Sequence, residues 1–330
     1  MLAFDEIGLG KISDRVLAGE ELPRHEAAAI VSCPDERLSG LLLATRKVRE
    51  AYFGKRVKIC MLRNAQSGIC PEDCGYCSQS RISKADIPVY KLQSVEQLVE
   101  GARIAVENNA RRYCMVASMR GPLAADVEHF GRACESIRNE FPKLEICLSV
   151  GLLSEQQARV LKARGAGWIN HNLNTSRRFY PMICTTHTWD DRVRTIENVR
   201  AAGLLTCSGG IVGMGETDDD ILDLAYATRA LAIDSVPVNF LHPIKGTPLE
   251  GQHALTPERC LKIACLFRLL NPRSEVRAAG GRELNAGPRQ SDLFAAVNSI
   301  FVNGYLTTPG LAYRDTVKLI ESAGYQVELE

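Results

Sequence analysis

The apolar positions of this chain follow two different spacings. Over residues 1–50 the pattern is helical. Its clearest part is 39–55, where Leu41, Leu42, Leu43, Val48 and Phe53 alternate with Arg46, Lys47, Arg49 and Lys55 to give an amphipathic helix. From about residue 57 strand-like runs alternate with helices. The first strand is Val57-Lys58-Ile59-Cys60-Met61-Leu62, and further strands are predicted at 112–118, 144–150, 167–173, 204–212, 235–241, 275–280 and 298–303. The intervening helices carry start and stop signals. Ser94 with Gln97 and Ser154 with Gln157 fit capping boxes, and Thr188 with Asp191 and Thr217 with Asp220 fit the acidic form. Gly165 and Gly203 stand where helices end, and Thr256-Pro257-Glu258 opens a helix that closes before Pro272. Eight strands alternating with helices over about 250 residues suggest an α/β fold, a (βα)8 TIM-type barrel. An open doubly wound sheet is the alternative, but no Gly-x-Gly-x-x-Gly follows the first strand. The expected organisation is a helical extension over 1–50 and a barrel domain over 51–330.

A barrel carries its chemistry at the C-terminal ends of its strands. The segment after the first strand is Ser67-Gly68-Ile69-Cys70-Pro71-Glu72-Asp73-Cys74-Gly75-Tyr76-Cys77-Ser78-Gln79-Ser80. Gly68, Pro71 and Gly75 make it a loop, and Cys70, Cys74 and Cys77 supply three thiolates without a fourth. A structural zinc site is closed by four protein ligands, and an iron–sulfur cube ordinarily takes four cysteines. Three ligands on one tight loop therefore suggest a cluster with one iron left for a partner that is not protein. A zinc knuckle completed by a remote residue is the competing reading, although the next histidine along the chain is His129.

Composition narrows the class. At 330 residues the chain can bury a sizeable core, and a net charge of +1 with 24% charged residues gives no electrostatic footprint for nucleic acid or an anionic membrane. The start, Met1 to Glu6, is acidic and lacks the apolar core of a signal peptide, and no run of about 18 apolar residues would span a bilayer. Twelve cysteines without a secretory signal suggest cytoplasmic thiols available to metal rather than disulfides.

Inward positions of a packed barrel usually hold Val, Ile and Leu. Here Cys114, Cys147 and Cys207 interrupt three strands, and Arg277 interrupts a fourth with no evident carboxylate beside it. A single strand cysteine is ordinarily a small core residue; three with an arginine form a pattern. In Trp168-Ile169-Asn170-His171-Asn172-Leu173-Asn174-Thr175, alternation puts Asn170 and Asn172 on one face and His171 on the other. Primary amides suit a neutral urea-like ring or a ribose, with turn formation as the ordinary alternative. Arg192, taken alone, reads as an exposed helix arginine. The run Gly209-Gly210-Ile211-Val212-Gly213-Met214-Gly215-Glu216-Thr217 is a glycine-rich turn without P-loop spacing.

Cys70-x3-Cys74-x2-Cys77, with aromatic Tyr76 before the last cysteine, resembles the signature of the radical S-adenosylmethionine (SAM) enzymes. The wider run from Asn64 to Ser80 resembles the biotin synthase family, and the likeness extends over roughly residues 40–325. That resemblance implies sulfur insertion into dethiobiotin. Cys70, Cys74 and Cys77 would hold a [4Fe–4S] cluster whose open iron binds SAM. Cys114, Cys147, Cys207 and Arg277 would hold a [2Fe–2S] cluster serving as sulfur donor. Arginine is an odd ligand, since guanidinium is fully protonated, but a weak one suits a cluster that is to be dismantled. SAM contacts would come from Tyr76, Ala117, Asn172, Asn174, Arg192 and Ile211. Asn174 replaces the Asp of some relatives, which removes a charge. Substrate contacts would come from Asn170, Asn172, Asn239, Thr307 and Thr308. The likeness further implies a small electron donor such as flavodoxin or ferredoxin, iron–sulfur assembly machinery and a homodimer. Cys33, Cys60, Cys134, Cys184, Cys260 and Cys265 carry no such match, and Cys260 and Cys265 suit helix core packing. A sibling radical SAM enzyme and a zinc-stabilised binding protein are the alternatives.

Overall fold

The computed structural model describes residues 9–253 and 255–329, so the acidic Met1–Glu6 segment lies outside the described residues. Helices α1 (Leu9–Leu17), α2 (Arg24–Val31) and α3 (Leu38–Phe53) come first. They are followed by β1 (Arg56–Gln66), α4 (Val95–Glu107), β2 (Arg112–Ala117), α5 (Ala124–Glu140), β3 (Glu145–Ser149), α6 (Glu155–Ala163) and β4 (Trp168–Asn170). Next are α7 (Trp189–Ala201), β5 (Leu205–Cys207), β6 (Gly210–Val212), α8 (Asp218–Ala230), β7 (Ser235–Phe240) and α9 (Pro257–Leu270). The chain ends with β8 (Glu275–Ala278), α10 (Arg282–Asn285), β9 (Ser299–Phe301), α11 (Tyr313–Ser322) and β10 (Gln326–Val327).

The strands pair in parallel in the order β1-β2-β3-β4-β5-β7-β8-β9, and β9 returns to β1 through Lys58↔Ser299 and Ile59↔Ile300. With β6 continuing the stave begun by β5, this is the expected closed (βα)8 barrel; β10 pairs with β1 outside the closure at Arg56↔Gln326. The first strand runs four residues beyond the predicted Leu62, to Gln66. The predicted single strand 204–212 is instead two pieces. A side chain at Gly209 would meet the Pro237 carbonyl at 2.0 Å, so the backbone passes too close to β7 to remain regular there.

Alternation along the strands sorts the barrel into two surfaces. Tyr113, Met115, Ile146, Leu148, Ile169, Val236, Val238, Val276 and Ile300 are buried in the layer between strands and helices. The opposite positions (Cys114 and Val116, Cys147 and Ser149, Asn170 and Asn172, Pro237 and Asn239) line the interior. Cys260 and Cys265 are fully buried on α9, as core packing predicts, and Cys33 and Cys134 join the same core.

Helix starts fall where side-chain chemistry puts them. Ser94, Ser154, Thr188 and Thr217 each accept from the backbone N–H three residues on, with Gln97, Gln157, Asp191 and Asp220 answering in reverse. Thr256 caps α9 with Pro257 at its first position. Thr217→Ala is expected to cost about 1 kcal/mol of stability in a denaturant titration, the ordinary value of such a cap. Among the described residues no helix is long and apolar enough to cross a membrane.

Candidate active site

The three-cysteine loop leaves β1 at the C-terminal mouth of the barrel, Cys70 standing four residues beyond Gln66. Its shape is set by its own backbone, since Cys77 N–H donates to the Cys74 carbonyl (3.1 Å) and Ser80 N–H to the Cys77 carbonyl (3.2 Å). Two neighbouring segments clamp it. Asp73 accepts from the Thr185 and Thr186 amides at 2.9 and 3.2 Å, and Gly75 N–H donates to the Ile183 carbonyl at 2.8 Å. Glu72 accepts from Arg120 at 3.0 Å and also contacts Thr186 and His187. On the other side Ser78 and Thr307 share a hydroxyl hydrogen bond of 2.7 Å.

Below the loop lies a cavity of about 300 Å³. Its wall joins, from strands β1 to β9 and their following loops, most of the positions singled out in the sequence. Cys114, Cys147, Cys207 and Arg277 stand on it together. Asn170, Asn172, Asn239, Thr307 and Thr308 share the same space with Tyr76, Cys77 and Ile211. Cys70, Cys74, Ala117, Asn174 and Arg192 stand outside that wall. Asn174 donates to the Tyr76 hydroxyl at 2.6 Å, and Ala117 is buried where β2 pairs with Gln66 of β1. Arg192 is not the exposed helix residue of the ordinary reading. It is 8% exposed, donates to the Asn172 carbonyl at 2.7 Å and lies against Tyr180 and His187. The amides of Gly213 and Met214 in the glycine-rich turn are taken by the Glu216 carboxylate at 2.6 and 2.7 Å, which leaves no phosphate cradle there.

Arg277 departs most from expectation, because it does have a carboxylate beside it. Glu275, two residues earlier on the same face of β8, pairs with it. Glu275 also receives both terminal Arg112 nitrogens at 2.9 and 3.1 Å, Ser235 Oγ at 3.1 Å and Lys58 at 3.4 Å. Arg277 completes its bonds with Ser299 Oγ at 3.0 Å and Ser235 Oγ at 3.2 Å, and points one nitrogen at Cys207 Sγ, 3.6 Å away. The central carbon of the Arg112 guanidinium lies over Trp168, 3.6 Å from the ring centre. The barrel floor is thus an ion network directly beneath the interior cysteines. The signal for Glu275 lies in the sequence, since alternation puts residue 275 on the same inward face as Arg277. Cys60 belongs here too, 3.4 Å from Ser299 Oγ.

The electrostatics follow from this packing. Burial works against the Glu275 charge, yet Arg112, Arg277 and Lys58 outweigh it and hold the carboxyl well below the usual carboxylate range. Burial likewise opposes the Arg277 charge, and the paired Glu275 carboxylate reverses that effect, so the guanidinium stays protonated. Burial pushes the Cys77 thiol up to about 11 and raises Cys70 and Cys207, while Cys147 is raised first by its hydrogen bond with Cys114 and then by burial. Free of metal these thiols stay protonated near neutral pH, so metal binding must release their protons. His171 faces away from the cavity, as alternation predicts; burial and then Arg192 hold it neutral.

A closed parallel barrel with three thiols on the loop after its first strand defines the radical SAM class. The radical SAM superfamily profile matches residues 66–225. Methylornithine synthase superposes with a TM-score of 0.84 at 21% identity, covering 96% of this chain and 97% of that one. The FeFe-hydrogenase maturase HydG from Carboxydothermus hydrogenoformans superposes with a TM-score of 0.82 at 18% identity, covering 98% of this chain and 80% of that one. At such identities these two share the fold alone. Residues 237–326 match the Biotin and Thiamin Synthesis associated domain. The chain is 47% identical over 317 residues to biotin synthase of Geobacillus kaustophilus, covering 96% of this chain and 95% of the relative. It is 48% identical over 318 residues to biotin synthase of Bacillus subtilis, with the same coverages. The chain belongs to the biotin synthase family and is a radical SAM enzyme of biotin synthesis. Its cofactors are a [4Fe–4S] cluster, a [2Fe–2S] cluster and SAM.

Proposed function

We propose that this chain inserts sulfur into dethiobiotin to close the thiophane ring of biotin, with the [2Fe–2S] cluster as sulfur donor. The observation that carries the reading is the shared cavity. One wall holds three interior thiols and an arginine, and the same space meets the three-cysteine loop and a set of neutral amides. When bound, the two clusters and SAM supply a 5′-deoxyadenosyl radical able to take hydrogen from an unactivated C–H, and a sulfur atom to replace it.

The donor sets fit these groups. Cys70, Cys74 and Cys77 would hold the [4Fe–4S] cluster at the barrel mouth, three soft ligands with no protein group assigned to the remaining iron. Cys114, Cys147 and Cys207 would hold the [2Fe–2S] cluster on the floor; Arg277, kept in place by Glu275, Ser235 and Ser299, would have to give up a proton to serve as its fourth ligand. Asn170, Asn172 and Asn239 offer amide donors and acceptors to a ureido ring. Asn239 is pre-oriented by donating to the Gly210 carbonyl at 3.0 Å and accepting from Gly280 N–H at 2.9 Å. Thr307 and Thr308 stand at the rim for the substrate carboxylate. Tyr76, Asn172 and Ile211 are the SAM-facing residues on the cavity wall. Asn174 and Arg192 act from behind it, through the Tyr76 hydroxyl and the Asn172 carbonyl, and Ala117 supports the end of β2. The walls of the barrel exclude water from a reactive radical. Family likeness supports the remaining parts of the reading: a 1–50 extension beside a 51–330 barrel domain, a flavodoxin or ferredoxin donor, iron–sulfur assembly partners, a homodimer and a cytoplasmic setting.

An anaerobic assay for biotin from dethiobiotin, SAM and a reducing system tests the activity. Six iron atoms per reconstituted chain are expected from one cluster of each kind. Cys114→Ala is expected to keep reductive SAM cleavage and lose biotin formation. Unimpaired biotin output from that variant would remove the sulfur-donor assignment.

A further inference from the structure

Cys184 has no place in the cluster assignments, yet the fold sets it against one of the loop cysteines. Its Sγ lies 3.7 Å from Cys74 Sγ, 3.3 Å from His187 Nδ1 and 3.3 Å from Asp73 Oδ1. One ligand atom from each of Cys74, Cys184 and His187 falls within 4.8 Å of the others, and all three residues are buried. Glu72 brings a carboxylate oxygen against the same His187 nitrogen. The far nitrogen of the ring, Nε2, is 2.9 Å from the Tyr180 hydroxyl, which can accept its N–H once Nδ1 ligates, and 2.8 Å from an Arg192 nitrogen, a donor that must then turn away from it.

Two thiols and one imidazole converging from two loops make up three donors of zinc type in softness and compactness, the count that leaves a fourth position for water. We propose that Cys74, Cys184 and His187, with a water as fourth donor, form a tetrahedral zinc site that fills only in the cluster-free chain. Exclusivity follows from Cys74, which one metal centre alone can use. The site therefore staples the 70–77 loop to the 183–188 segment before cluster assembly, and zinc must leave before the [4Fe–4S] cluster is built. The exclusivity rests on Cys74 being a ligand of that cluster; the zinc site itself does not.

The test uses the full-length chain, reduced and stripped of metal under anaerobic conditions. Cobalt added as a probe is expected to give tetrahedral d–d bands with thiolate charge transfer. X-ray absorption of the zinc form should show two sulfurs, one imidazole nitrogen and one oxygen. A shell of three sulfurs without imidazole, or no tight zinc, would overturn the site on the wild-type chain alone. Cys184→Ala and His187→Ala are each expected to weaken zinc binding at least about tenfold while Cys70→Ala leaves it intact; the reverse pattern would assign zinc to the three-cysteine loop and defeat the proposal. Bound zinc should slow [4Fe–4S] loading of the wild type but not of Cys184→Ala. Loading indifferent to zinc would refute the shared use of Cys74 while leaving the zinc site to the absorption result.

Discussion

Cys77→Ala is expected to abolish SAM cleavage and biotin formation together, with iron falling from six to about two per chain. The argument is one of ligand number. Three loop thiols are the protein's whole contribution to that cluster as assigned here. Among the described residues Cys184 is the nearest spare thiol by its contacts, but it meets Cys74 and not Cys77. Loss of a direct ligand should therefore exceed the roughly 10–100-fold cost of losing an outer hydrogen-bond partner of a metal ligand. Iron counting, 5′-deoxyadenosine release and the visible spectrum of the anaerobically reconstituted variant check it. Retained cleavage of SAM would show that the cluster is held elsewhere.

Glu275→Ala should be the most damaging change away from the loop. It leaves Arg112, Arg277 and Lys58 facing one another in the barrel floor with no carboxylate among them except Glu145, which bonds Lys58 at 3.0 Å and Arg112 at 2.7 Å. Breaking a buried ion pair by removing one partner costs about 3–5 kcal/mol, because the other charge stays buried without compensation. Glu275→Gln keeps the shape and part of the hydrogen bonding, so a smaller loss is expected. Both variants should also release Arg277 and lower occupancy of the interior [2Fe–2S] site, while the [4Fe–4S] spectrum at the mouth persists. The pH dependence has a definite sign. The Glu275 carboxyl sits well below its ordinary value, so its stabilisation is complete above the normal carboxylate range and is lost as pH falls toward the folded-state pKa. A denaturant midpoint unchanged by Glu275→Ala would rule out the network as a structural element.

Much of the molecule was legible along the chain. The helix starts at Ser94, Ser154, Thr188, Thr217 and Thr256 are local events, each a side chain bonding an amide three residues away, so the sequence carries them complete. Period-two alternation likewise separates Asn170 and Asn172 from His171 without reference to any contact. The three-cysteine loop declared its chemistry because its ligands are neighbours in sequence.

What tertiary structure alone decided involves partners distant in the chain. The split of 204–212 is imposed by the Pro237 carbonyl pressing on Gly209, a contact between strands that no local rule contains. Arg192 is buried because the 180–188 segment folds over it. Glu275 shares the face of Arg277 by alternation alone, but the partners that complete the network, Lys58 and Arg112, arrive from β1 and β2. Cys184 and Cys74 are 110 residues apart, and only the fold of the loops over the barrel mouth brings their sulfurs together. Local hydrogen bonding and periodicity are written residue by residue along a chain, whereas the pairing of buried charges and thiols depends on closure of the barrel.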